Sequence, residues 1–96
     1  MSGKVQLKHP QGKTPISMSR EKYDLLKLAV LQFLRAHEEA TFSEISGAIV
    51  RDFKAKKLPF QGSLPWHLEW VKLDLEARKA IRRVPKTSPQ KYMIVR

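Results

Sequence analysis

Cysteine is absent from all 96 residues, which removes disulfides, thiolate nucleophiles and every cysteine-based zinc or iron–sulfur site at once. A reducing, intracellular setting agrees with that composition. Histidine is scarce as well: His9, His37 and His67 fall in three separate stretches, with no H-E-x-x-H or other ligand spacing between them. His37-Glu38-Glu39 is a consecutive run, and adjacent helical positions do not face one site, so a solvated helix end explains it better than a metal. The glycines Gly3, Gly12, Gly47 and Gly62 are scattered and build no phosphate-cradling loop. Long apolar runs are missing too. The longest, Leu28 to Leu31, is far too short to cross a bilayer, and the polar opening Met1-Ser2-Gly3-Lys4 leads into no signal-peptide core. A cytoplasmic protein without a membrane partner is therefore expected. Carboxylates are few, and Asp74 and Glu76 would project about 200° apart on a helix, which is not the arrangement of an acid–base pair. These absences predict a non-enzyme with no catalytic residues, metal, cofactor or small-molecule substrate.

What is present is positive charge. Lys and Arg number 19 against 9 Asp and Glu, a formal +10. Hydrophobic residues at 42% and charged ones at 29% lie near the globular average, far from compositions that stay disordered. A chain of this length fits one domain, burying somewhat over ~60% of its unfolded surface. On so small a domain the charge points to polyanionic partners, nucleic acid first. The competing explanation is a generic basic surface kept for solubility.

Element signals run along the whole chain. Val5 to Lys8, a turn at His9-Pro10-Gln11-Gly12, and Lys13 to Ile16 predict an N-terminal hairpin or arm within residues 1–18. Residues 19–96 follow as the main domain. Ser19 caps a first helix to His37, with Tyr23, Leu26, Val30, Phe33 and Leu34 at helical spacing. Thr41-Phe42-Ser43-Glu44 is a capping box that opens a second helix, whose Ile45, Ile49 and Phe53 share a face and whose last turn carries basic residues. After the loop Leu58-Pro59-Phe60-Gln61-Gly62, Ser63 caps a third helix from about Leu64 to Arg78, with Pro65 in its first turn. Ile81–Val84 and Lys91–Val95, separated by Pro85 to Pro89, read as a second hairpin.

Three helices followed by a hairpin is the winged-helix order. The stretch Val71-Lys72-Leu73-Asp74-Leu75-Glu76-Ala77-Arg78-Lys79-Ala80-Ile81-Arg82-Arg83-Val84 resembles the end of a winged-helix recognition helix running into its wing: an apolar position, a Leu-Glu pair, a turn residue, then an Ile opening the strand. Thr41-Phe42-Ser43-Glu44-Ile45 is similar to that family's opening of its second helix. Taken whole, the chain resembles a group of short uncharacterised bacterial proteins with this layout. The resemblance implies an α+β fold: a three-helix winged-helix domain with a C-terminal β-hairpin wing and an N-terminal β-hairpin. It also implies a DNA-binding, transcription-regulator-like role. Two features depart from the pattern. Lys79 stands where a glycine is usual, so a left-handed cap must be held by a lysine. The loop between the second and third helices is also longer than a tight helix-turn-helix turn.

The chain holds no acidic residue after Glu76, while Arg78, Lys79, Arg82, Arg83, Lys86, Lys91 and Arg96 lie in or beside the wing. Arg82, Arg83, Lys86 and Lys91 are expected to lie along the backbone of double-stranded DNA, with Thr87 and Ser88 donating to phosphate and Lys54, Lys56 and Lys57 giving a second contact. The alternative is a solvated, lysine-guarded edge hairpin. On the third helix, Leu68, Val71 and Leu75 form one stripe, and Trp66, Trp70, Leu73 and Ala77 another roughly opposite. The family pattern assigns the first stripe to the core and leaves the Trp70/Leu73 face outward, where indole and leucine cannot read base edges. Either the N-terminal hairpin covers that face through Val5, Leu7 or Ile16, or the face is a protein-protein interface, most simply of a homodimer. Both readings predict a substantially buried Trp70.

Overall fold

Among the described residues, three helices and two small antiparallel sheets make up an α+β domain. The computed structural model describes residues 3–9, 12, 16–58, 60 and 62–95. The expected turn residues Pro10 and Gln11, the run Lys13 to Pro15, the loop residues Pro59 and Gln61, and Arg96 lie outside the described residues.

The N-terminal hairpin is present but displaced from its expected positions. Strand β1 spans Lys4–Gln6 and β2 spans Ser17–Ser19, instead of Val5–Lys8 and Lys13–Ile16. The pairing is set by burial, because Val5 faces Met18 across the ladder and both enter the core. Leu7 N–H extends the ladder to the Ile16 carbonyl at 2.8 Å, and the Leu7 side chain is also buried.

Helix α1, Arg20–His37, begins where the Ser19 hydroxyl accepts from the Lys22 amide, and it buries Tyr23, Leu26, Val30 and Leu34 at helical spacing. A three-residue strand, β3 at Glu39–Thr41, separates it from α2, Phe42–Ala55. The Thr41–Glu44 capping box is closed in both directions, at 3.1 and 2.9 Å. The hydrogen bond from the Thr41 backbone amide, first of all, and then the Thr41 side chain hold the Glu44 carboxyl below its usual range. Helix α3, Leu64–Ala77, starts with the Ser63 hydroxyl accepting from the Trp66 amide and with Pro65 in the first turn.

Helices α2 and α3 end in the same device. Lys57 N–H reaches the Lys54 carbonyl while Leu58 N–H reaches Phe53, and Lys79 N–H reaches Glu76 while Ala80 N–H reaches Leu75. Each is a Schellman turn, in which the residue past the cap must take left-handed backbone. Glycine does this without penalty, yet the residues here are Lys57 at φ 55° and Lys79 at φ 61°.

Strands β4, Ile81–Val84, and β5, Lys91–Ile94, form the second hairpin, and β3 adds to it to give the sheet order β3-β5-β4. In the register Ala40↔Tyr92↔Arg83, Ala40 and Tyr92 are buried, with Ile81 on the same inner face. Leu68, Val71 and Leu75 of α3 are wholly buried and pack with α1, α2 and the sheet. Each such side chain contributes about 1.5–3 kcal/mol of burial. Among the described residues, no helix is long and apolar enough to cross a membrane.

Candidate nucleic-acid interface

Charge on α3 is used in two ways. Toward α1 and the N-terminal arm it is consumed. Asp74 is fully buried, and its carboxylate accepts from the Tyr23 hydroxyl, from the Lys8 backbone amide at 2.7 Å and from Arg78 Nε at 2.9 Å. Arg78 also leans on the Gln6 carbonyl. One carboxylate thus ties together the arm, α1 and the end of α3. Burial, reinforced by the hydrogen bond to Asp74, pushes the Tyr23 phenol above its usual range, and the same carboxylate raises Arg78. A buried tyrosine–carboxylate pair can signal catalysis. This one is sealed, and an open groove of about 500 Å³ elsewhere, between α1 and α2, is lined by Ala29, Phe33, Ala48 and Ile49. No cluster of metal-ligating side chains occurs among the described residues.

Lys72 is consumed in the same manner. Its ammonium lies between the Phe42 and Tyr92 rings, donates to the Tyr92 hydroxyl at 3.2 Å and pairs with Glu69. Glu76 pairs with Arg83 at 2.8 Å, the hydrogen bond from Arg83 Nε being the main cause that raises that arginine. All three carboxylates of α3 therefore have cationic partners from the chain itself.

The basic residues expected to meet phosphate divide accordingly. Arg78 and Arg83 are paired as above, Lys56 pairs with Asp52 at 3.2 Å, and Lys91 lies 3.7 Å from Glu39. Lys54, Lys57, Lys79, Arg82 and Lys86 are exposed and make no ion pair among the described residues. Arg82 projects from β4 on the face opposite Ile81. Lys86 sits in the hairpin turn at φ 61°. Thr87 is tied into the loop: its hydroxyl donates to the Val84 carbonyl and accepts from the Lys91 amide, while Gln90 bridges the same groups. Ser88 is exposed at the tip.

The second stripe of α3 is neither fully covered nor fully open. Trp70 and Leu73 are partly buried, Trp70 packing on the core, and Trp66 keeps 50% of its surface exposed. Val5 and Leu7 enter the core, and the arm meets the stripe through His9, whose ring is edge-on to Trp70 at 6.3 Å. Sequence reasoning missed the Asp74 cluster, in which only Arg78, four residues on, carried a local signal.

A family model described as a family of unknown function (DUF6958) matches residues 4–92. No curated protein and no solved structure matches the chain.

Proposed function

The chain belongs to this family of unknown function, and we propose that it is a non-catalytic winged-helix protein that binds DNA through phosphate contacts. The observation that carries the reading is where the unpaired lysines sit. Among the described residues, four non-glycine residues have positive φ, and three of them are Lys57, Lys79 and Lys86. All three are exposed and without an ion pair among the described residues. Left-handed backbone costs a lysine about 1–2 kcal/mol that glycine avoids. Strain held at exposed, uncompensated cations is the pattern expected of contact residues. Lys57 closes α2, Lys79 closes α3, and Lys86 sits in the turn of the β4–β5 hairpin. Cations at helix ends and in a hairpin turn can contact a phosphate backbone.

The winged-helix reading is supported by the order α1-β3-α2-α3-β4-β5, with β3 pairing to the C-terminal hairpin. Backbone contacts of this kind give affinity without sequence choice. The test is fluorescence anisotropy on a labelled duplex titrated with salt. Five unpaired cations neutralising about five phosphates give a slope of log K on log salt near −4 to −5. No binding at low salt, or binding unaffected by Arg82→Glu plus Lys86→Glu, would overturn the proposal.

A further inference from the structure

A strip of aromatic rings runs from the N-terminal arm over the first half of α3 to Phe60. His9 meets Trp70 at 6.3 Å, Trp70 meets Trp66 at 6.1 Å, Trp66 meets His67 at 5.0 Å, and His67 meets Phe60 at 4.9 Å, all edge-to-face. The Lys22 ammonium lies 5.1 Å above the Phe60 ring. Trp66 is held by neighbours on both sides yet leaves half its surface in solvent. An exposed indole fixed in place by other rings offers an apolar face with little conformational freedom left to lose on binding.

The charge around this strip selects among the occupants such a face could take. The Lys22 ammonium lies over Phe60, Lys54 follows Phe53, whose ring is edge-on to Phe60 at 6.3 Å, the chain carries a formal +10, and each α3 carboxylate is already paired. A second copy of the chain would bring another formal +10 against the first, which like-charge repulsion opposes. A blunt duplex satisfies the cations but not the indole, because base faces are hidden in its stack and its groove edges are polar. A strand with unpaired bases satisfies both, with phosphates toward the cations and a base on the ring.

We infer that Trp66 is a base-stacking residue and that the preferred ligand of this surface is single-stranded nucleic acid. The inference rests on the phosphate-binding reading above and names the form of its ligand. Trp70, partly buried against the core and edge-on to both Trp66 and His9, positions the exposed ring.

The experiment compares anisotropy of labelled oligothymidylate with that of a blunt duplex of equal length, for the full chain and for Trp66→Ala and Trp66→Phe. Circular dichroism confirms folding, which a half-exposed residue should not govern. The single strand is expected to bind more tightly and to quench tryptophan fluorescence. Trp66→Ala should weaken single-strand binding roughly tenfold, leave duplex binding within about twofold of the unmutated chain, and be largely rescued by Trp66→Phe. If Trp66→Ala binds oligothymidylate like the unmutated chain while the duplex is still bound, the stacking inference falls and the phosphate-binding reading stands. If neither nucleic acid binds, both fall. Conversion of a dimer to a monomer by Trp66→Ala, with oligonucleotide binding unchanged, would assign the strip to a second copy and overturn the inference.

Discussion

Asp74 and Glu76 stand two residues apart on α3, and each meets an arginine, yet the regions they serve differ. At Asp74 the carboxylate is fully buried and receives donors from the arm, from α1 and from Arg78. At Glu76 a single arginine reaches across to the helix, and beyond it Lys79 and the C-terminal hairpin's Arg82 and Lys86 make no ion pair among the described residues. The first region spends its charge on holding the fold together. The second leaves charge unpaired. A formal +10 says little by itself, because the same count covers a lysine sealed beside tyrosine and lysines held outward on strained turns.

Removing the buried carboxylate should break the first region most severely. Asp74→Ala leaves Arg78 unpaired and the Tyr23 hydroxyl and Lys8 amide without their acceptor, and urea denaturation should show a loss of about 3–5 kcal/mol. A loss under about 1 kcal/mol would mean that the cluster does not hold the arm. Tyr23→Phe deletes one donor from the same carboxylate and should cost about 1–3 kcal/mol by the same measurement. In the second region the sign should reverse. Lys79→Gly relieves left-handed strain while loosening the unfolded chain, so stability should hold or rise by up to about 1 kcal/mol, and duplex affinity should fall. A destabilised Lys79→Gly with full affinity would show that this lysine serves the fold. The smallest effect concerns the capping box, which belongs to neither region. Because Glu44 has its pKa lowered by the fold, its contribution is present above the unfolded carboxyl pKa and fades as pH falls through the folded value. Thermal melts should therefore find Glu44→Gln less stable than the unmutated chain at neutral pH, with the gap closing in acid.

Local signals in the chain were enough for the helices and not for the ties between segments. Ser19, Thr41 with Glu44, and Ser63 with Pro65 mark the helix starts because a cap is chemistry between residues three apart. The C-terminal hairpin was legible from two β-rich runs around a loop bounded by Pro85 and Pro89, though not its register, and the Leu68, Val71, Leu75 stripe was legible from periodicity. Strand β3 was not: three residues with one buried alanine carry no alternation, and their partner, β5, lies some fifty residues on. The second strand of the arm was expected too early because Met18, which decides the register, stands just before a helix cap and reads as part of it. Of the candidate site, the basic C-terminal hairpin was visible as an acid-free tail, and the left-handed cap at Lys79 was expected from the missing glycine. Which cations stay unpaired was hidden, since Arg83 finds Glu76 only once β4 folds back beside α3.

Neighbouring arginines on one strand test that division most directly. Duplex binding should be measured by anisotropy across a salt series for Arg82→Ala and, in parallel, for the double variant Arg83→Ala with Glu76→Gln, which removes an internal pair without changing net charge. Loss of Arg82 should reduce the salt slope by about 1, whereas loss of the Arg83–Glu76 pair should leave the slope unchanged. Equal slope changes in the two variants, or a larger one in the double variant, would contradict the separation of consumed from available charge.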